Sequence, residues 1–403
     1  MTTVGFFYDI ACPYAYLAST QIEAIAESQG AQVDWKPILL GGLYKAVGGK
    51  DHPADSWPSS KVLHNKRDMA RQAELFGVPL KRPKCYPQRT VNTMRLLLAA
   101  PESTRPDLSH RLYQAYWVEG KAIGERGVLK KIAAEFDLDI SIIDGPEIKQ
   151  ELMDATEEAK SLGHFGVPTF QLKDTFYWGA DRLLFVARDL GCEMLPPTEI
   201  SASSEQPTLE FFHDFSSPFS YLASTQMERI AQEAGAKLIY KPILLGGLFK
   251  AIGTANVPLF EMTPARQTYQ LKDLHDWSAW WGVDFKFPDV FPLFTVTALR
   301  VAIQAPEATE HLYRAAWVDG LNISEPEILK EVLNSAGLDG EALLEGTQDP
   351  AVKAQLFKNT ERAMEKDVCG VPSMLVNDTV LIWGQDRLGM LEAALEGWVP
   401  EAR

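Results

Sequence analysis

A thiol or hydroxyl stands immediately before proline at two related places in this chain. Cys12 lies in Asp9-Ile10-Ala11-Cys12-Pro13-Tyr14, and Ser217 in Asp214-Phe215-Ser216-Ser217-Pro218-Phe219. Proline followed by helix-forming sequence marks a helix start, where exposed N–H groups and the positive helix end favour an anion. A thiolate is such an anion. Ser217 can hold a foreign thiolate by hydrogen bond, whereas Cys12 can itself be the thiolate. Read more plainly, Ser217 is an N-cap.

Two further words recur. Gly-Val-Pro precedes an apolar run at Val167-Pro168 and at Val371-Pro372. Proline at a strand start removes a ladder donor, and a cis bond there would turn the valine backbone toward a ligand. An ordinary strand-start proline is the plainer reading. The third word, Trp-Gly-x-Asp-Arg, gives Asp181-Arg182 and Asp386-Arg387 at the start of the last helix of each half. Such an aspartate caps a helix or pairs with a ligand ammonium.

The elements that carry these words form a repeat. Residues 6–48 and 211–253 align without gaps at an offset of 205, with 26 of 43 positions identical. The match continues through 112–120 with 312–320, 166–170 with 370–374, and 178–183 with 383–388. A period of that length means two domains, expected at 1–192 and 208–403, joined by the Pro/Ser-rich polar stretch 193–207. Within each copy the pattern reads β-α-β, then a helical stretch (about 55–160 in the first copy), then a β-hairpin and a last helix. QVDWKPILL reads as a strand ended by Pro37 and a Gly41-Gly42 turn. The fold class expected is α/β: two tandem thioredoxin-like domains, each with an inserted all-helical domain.

Composition bounds the function. The 403 residues carry a net charge of −15, which disfavours nucleic acid and anionic membranes as partners. No apolar run reaches the length of a membrane span, and the first residues enter a strand pattern without a signal-peptide profile. The four cysteines, Cys12, Cys85, Cys192 and Cys369, form no CxxC pair and show no zinc-ligand spacing, so free thiols in a reducing cytoplasm are expected. With Ala15 where a second cysteine would stand, no dithiol cycle runs within the first word.

Together, DFSSPFSYLAS, KPILLGGLFKAIG, GVPSM and WGQDRL, with their first-copy counterparts, resemble the 2-hydroxychromene-2-carboxylate isomerases and kappa-class glutathione transferases of the DsbA-like thioredoxin superfamily. The resemblance implies glutathione as cofactor. It implies that Ser217 stabilises the glutathione thiolate, that the backbone of Val371 before cis-Pro372 pairs with the tripeptide, and that Asp386, beside Arg387, holds the γ-glutamyl end. The first-copy counterparts are Val167, Pro168, Asp181 and Arg182. A family lysine that contacts glutathione or substrate matches Lys61 in the first copy and is Arg266 in the second. A family asparagine matches Asn256, where the first copy has Asp51. The second copy is therefore the more family-like.

The activity implied is cis–trans isomerisation of a conjugated small molecule, such as 2-hydroxychromene-2-carboxylate, by reversible thiolate addition. The alternatives are a kappa-like transferase, a single-cysteine thiol-disulfide oxidoreductase using Cys12 at low thiol pKa, and a binding scaffold without turnover. The helical insertion is expected to form the pocket for an aromatic or conjugated substrate, with Tyr269, Trp277, Trp280, Trp281 and Trp317 as its aromatic candidates, although core packing suits most of them. The duplication implies an internal pseudo-dimer, which a monomer would satisfy.

Overall fold

The computed structural model describes residues 1–49, 53–192 and 206–402. They fold as two compact units, Met1–Asp55 with Asp68–Thr198, and Ser56–Arg67 with Glu199–Arg403. The stretch 56–67, expected with the first copy, thus groups with the second. Of the expected linker only Gln206 and Pro207 are described, and Asp51 lies outside the described residues.

The first copy runs β1 (Thr3–Tyr8), α1 (Pro13–Glu27), β2 (Gln32–Pro37), α2 (Leu40–Ala46), α3 (Ser59–Leu75), α4 (Val91–Ala99), α5 (Arg105–Tyr113), α6 (Arg126–Glu135), α7 (Pro146–Ser161), β3 (Thr169–Leu172), β4 (Thr175–Trp178) and α8 (Leu183–Leu190). The second runs β5 (Thr208–His213), α9 (Pro218–Glu233), β6 (Lys237–Pro242), α10 (Leu245–Ile252), α11 (Pro264–Trp281), α12 (Val296–Gln304), α13 (Ala308–Trp317), α14 (Pro326–Ser335), α15 (Gly340–Gly346), α16 (Pro350–Glu365), β7 (Ser373–Val376), β8 (Val380–Trp383) and α17 (Leu388–Leu395).

Each unit holds a four-stranded mixed sheet, in the orders β2-β1-β3-β4 and β6-β5-β7-β8. β1 pairs parallel with β2 and antiparallel with β3, and β5 does the same with β6 and β7. A strand with elements on both faces reads as an unbroken apolar run. Accordingly Val4, Phe6, Phe7 and Tyr8 are all buried. Phe6 stacks on Phe170 of β3 at 5.5 Å between ring centres, and Trp35 of β2 meets it edge-on at 5.0 Å. The expected β-α-β, helical insertion and β-β-α order is present in both copies.

Two local readings differ. Gly41-Gly42 is not a turn; it lies inside α2, and Gly246-Gly247 lies inside α10. Glycine weakens a helix by about 0.5–1 kcal/mol relative to alanine, but a distant carboxylate starts these helices. Asp9 Oδ2 accepts from the Leu40 N–H, and Asp214 Oδ2 from the Leu245 N–H, each at 3.0 Å. Such a cap leaves no local signal. The second difference is a π-helical turn at Gln114–Val118, which continues α5 and carries Tyr116, whereas the matching part of α13 is regular and carries Ala316.

Candidate functional site

The sheet strand β5 ends at His213, and the next residues carry the chemistry. Asp214 is buried, and its carboxylate accepts from Ser216 N–H (2.9 Å), Leu245 N–H (3.0 Å) and Thr295 Oγ1–H (2.6 Å). Burial nevertheless raises its pKa above the ordinary carboxylate value, against the pull of those donors. Phe215 O accepts from Trp317 Nε1–H at 2.8 Å. These bonds fix the backbone that presents Ser217 at the start of α9.

Ser217 has extended backbone angles, with Pro218 following as the first helical residue. Its Oγ accepts from Ser220 N–H at 3.2 Å and donates to Val371 O at 3.3 Å. The hydroxyl is therefore an N-cap and also touches the Val-Pro turn; the two readings of this serine are not exclusive. Ser217 is 5% exposed.

The Val371-Pro372 bond is cis, as is Val167-Pro168. Pro372 O accepts from Gly384 N–H at 3.0 Å, which ties the turn to the Trp-Gly-x-Asp-Arg word. The glycines of both words are sterically required. A Cβ on Gly370 would lie 3.0 Å from Trp383 Nε1, and one on Gly384 (φ +109°) would overlap the Asp386 carboxylate. Asp386 sits in a 3₁₀ turn, Gln385–Arg387, that packs against α9. Its carboxylate faces Arg387 Nη1 at 3.2 Å. In the first copy Asp181 pairs with Arg182 at 2.8 Å. Arg182 and Arg387, each one residue after its aspartate, occupy the cap positions of α8 and α17.

The first copy repeats this frame around a thiol. Cys12 has the same extended backbone before Pro13, its Sγ–H donates to Val167 O at 3.3 Å, and Trp117 Nε1–H donates to Ile10 O at 2.9 Å. Burial pushes the Cys12 thiol up to about 12, and the Ala15 and Tyr14 N–H groups oppose this only in part. That direction runs against the low thiol pKa expected of a redox cysteine, with desolvation opposing the helix start.

Lys61, expected beside the first copy's site, stands in the second unit. Its Nζ lies 4.7 Å from the Trp57 ring centre and 5.9 Å from that of Trp383. Burial lowers its pKa, and the nearby Arg266 guanidinium lowers it further. Cys369, beside Gly370, is buried, and desolvation pushes its thiol up to about 12 against the opposing charge of Lys61. Asn256 is exposed in the loop after α10, and its Oδ1 would lie 3.1 Å from a Cβ on Gly246 in the first turn of that helix. Ser217 thus meets Val371, Pro372 is tied to Gly384 of the word that carries Asp386 and Arg387, and Lys61 lies beside Trp383 of that same word with Arg266 nearby.

Core packing, the plainer reading of the aromatic candidates, holds for three of the five, while Trp281 is half-buried and Trp280 is 38% exposed. Tyr269, Trp277 and Trp317 are core residues, 4%, 2% and 0% exposed. The half-buried and exposed aromatics near the site are phenylalanines of the loop before α12. Phe287 and Phe291 pack on Trp317, at 5.8 and 6.4 Å between ring centres, and Phe260 meets Phe291 at 6.2 Å. The sequence signal was available: a phenylalanine-rich, proline-punctuated loop of no clear period, whose Phe291-Pro292 bond is cis.

A family model agrees with the two-copy architecture. The family model for a DSBA-like thioredoxin domain matches residues 3–191 and again 208–396. A 2-hydroxychromene-2-carboxylate isomerase of Sphingobium xenophagum is 32% identical over 192 residues, 47% of this chain and 97% of that protein. A glutathione S-transferase kappa 1 of Homo sapiens is 27% identical over 212 residues, 48% of this chain and 92% of that protein. A solved 2-hydroxychromene-2-carboxylate isomerase structure aligns over 47% of this chain and 94% of its own, at 28% identity and a TM-score of 0.43.

Proposed function

The chain belongs to the DSBA-like thioredoxin domain family, and from that premise we propose that it is a glutathione-dependent isomerase or transferase of conjugated small molecules, with its family-like site at the start of α9. Relatives named as isomerases and glutathione transferases support an enzyme of one of these kinds. The observation that carries the assignment is the meeting of the Ser217 hydroxyl with the Val371 carbonyl, in a unit where the Asp386 turn packs on the same helix.

The side chains present fit glutathione by charge and chemistry. The tripeptide offers a thiol, an ammonium and carboxylates. Ser217 and the start of α9 suit the sulfur, Asp386 the ammonium, and Arg266 and Lys61 a carboxylate. Bound there, glutathione supplies a thiolate nucleophile for reversible addition to an electron-poor double bond, which permits rotation before the thiolate leaves again. The work of this chain is to favour the ionised sulfur. The Ser217 hydroxyl turns from Val371 O to donate to it, and the helix start adds its partial positive charge. Thr295 and Trp317 hold the Asp214–Ser217 backbone, so only the hydroxyl proton of Ser217 has to be redirected.

Cys12 takes no part in this reading. Its thiol donates to Val167 O and is held protonated by burial. The test is incubation of the full chain with glutathione and a cis aryl enone or aryl-pyruvate. Isomerisation that requires glutathione without consuming it marks an isomerase, and conjugate formation marks a transferase. Absence of any rate above buffer, with no glutathione binding by calorimetry, removes the proposal.

A further inference from the structure

The loop that follows Gly77 and its counterpart after Gly282 are anchored alike. Lys81 N–H donates to Trp117 O and Lys286 N–H to Trp317 O, each at 2.7 Å. The tryptophan of each pair then donates to the backbone two residues before Cys12 or Ser217. Each loop is therefore tied, through one tryptophan, to the backbone that leads into its copy's helix start.

The two walls have opposite chemistry. Residues 81–89 (KRPKCYPQR) hold four cations and no acid; residues 286–294 (KFPDVFPLF) hold one of each. Arg82 becomes Phe287, Lys84 becomes Asp289, Tyr86 becomes Phe291 and Arg89 becomes Phe294. Beyond the loop, Lys121 becomes Leu321. In the first copy the Arg82 guanidinium lies 4.4 Å from the Tyr86 ring centre, and Tyr86 packs on Trp117 at 5.7 Å. In the second, Phe287 and Phe291 are 5.0 Å apart, and Phe260 and Phe294 stand 60% and 80% exposed. Apolar side chains held this open beside a site await an apolar occupant. In a chain of net charge −15, four cations on one short loop that holds no acid create a local field for an anion.

We propose that the two copies select different ligands: the second takes an acceptor, an electrophile whose distal end is an uncharged aromatic ring, and the first binds a small molecule whose distal end carries a carboxylate. Phe287 and Phe294, against Arg82 and Arg89, set this specificity. The inference rests on the proposed function for the word acceptor, but the selectivity of the walls is measurable without turnover.

The experiment is calorimetric titration of the full chain, in the presence of glutathione, with two unreactive probes: a saturated aryl ketone, and the same ketone with a carboxylate on its ring. Each probe is expected to occupy one site per chain, with about a tenfold or greater preference over the other probe at that site, the scale of one charge-assisted hydrogen bond. Phe287→Arg, or Phe294→Arg at the well-exposed position, should add a second site for the carboxylated ketone. Arg82→Phe with Arg89→Phe should add a second site for the uncharged one. Two sites per chain of like affinity for either probe in the wild type, no binding of either, or stoichiometries indifferent to these exchanges would overturn the proposal. Partition of the probes without glutathione binding would uphold the walls and overturn the proposed function. Glutathione-dependent turnover without partition would do the reverse.

Discussion

Truncating Ser217 to alanine separates its two duties. As a helix cap it accepts from Ser220 N–H at 3.2 Å and touches Val371 O at 3.3 Å, and loss of such a cap costs about 1 kcal/mol of stability. As a donor to a thiolate it makes a charge-assisted bond of about 1.5–3 kcal/mol. At 1.36 kcal/mol per unit, that raises the bound thiol's pKa by about one to two units. Ser217→Ala should thus slow glutathione-dependent isomerisation about 10- to 100-fold on the acid side of that pKa. The deficit should shrink as pH rises and the thiol ionises without help. Ser217→Cys, which writes the first copy's residue into the second, should be as slow as alanine. The assay is initial rate against pH at saturating glutathione, with urea unfolding alongside. A deficit constant across pH would assign Ser217 a structural part only, and a loss under threefold at low pH would refute the reasoning.

Three further outcomes follow from the surroundings of the site. His213 is fully buried, and desolvation pushes its pKa down to about 3. The unfolded chain binds a proton near pH 6.5 that the folded chain refuses, so stability is full above that value and falls by about 1.4 kcal/mol per unit on acidification toward pH 3. His213→Tyr, the residue found at Tyr8 in the first copy, should remove this part of the loss in urea unfolding between neutral and mildly acidic pH. Thr295→Val takes the 2.6 Å donor from buried Asp214; unfolding free energy should fall by about 1–3 kcal/mol, and the Asp214 pKa should rise further, read by carboxyl NMR titration. Cys12, 7% exposed with its thiol pushed up to about 12, should react with iodoacetamide at neutral pH at least about tenfold more slowly than in the urea-unfolded chain.

Much of this was legible in the residues because the words are read at helix and strand starts, where local chemistry is strict. Pro13 and Pro218 mark helix starts, and Gly370 and Gly384 are required by the tryptophan and aspartate that pack on them. What was not legible depends on distant partners. The cap that makes a helix of the Gly-Gly word comes from Asp9 and Asp214, some thirty residues earlier. The position of Lys61 beside Trp383 belongs to tertiary packing, which no spacing encodes. The upward shift of Cys12 comes from burial, which a motif centred on proline cannot report. The aromatic wall is hidden for a different reason: Phe287, Phe291 and Phe294 stand in a loop, where no periodic spacing marks them.

The ionisation of the bound sulfur is the quantity on which the account turns. Ultraviolet titration of thiolate absorbance, on the full chain saturated with glutathione, reads it directly once the same series with a sulfur-free analogue is subtracted. The account predicts a bound thiol that ionises at least about one unit below an ordinary thiol near 8.5, and returns toward that value in Ser217→Ala. A bound thiol that titrates as in water, alike in both proteins, would contradict it.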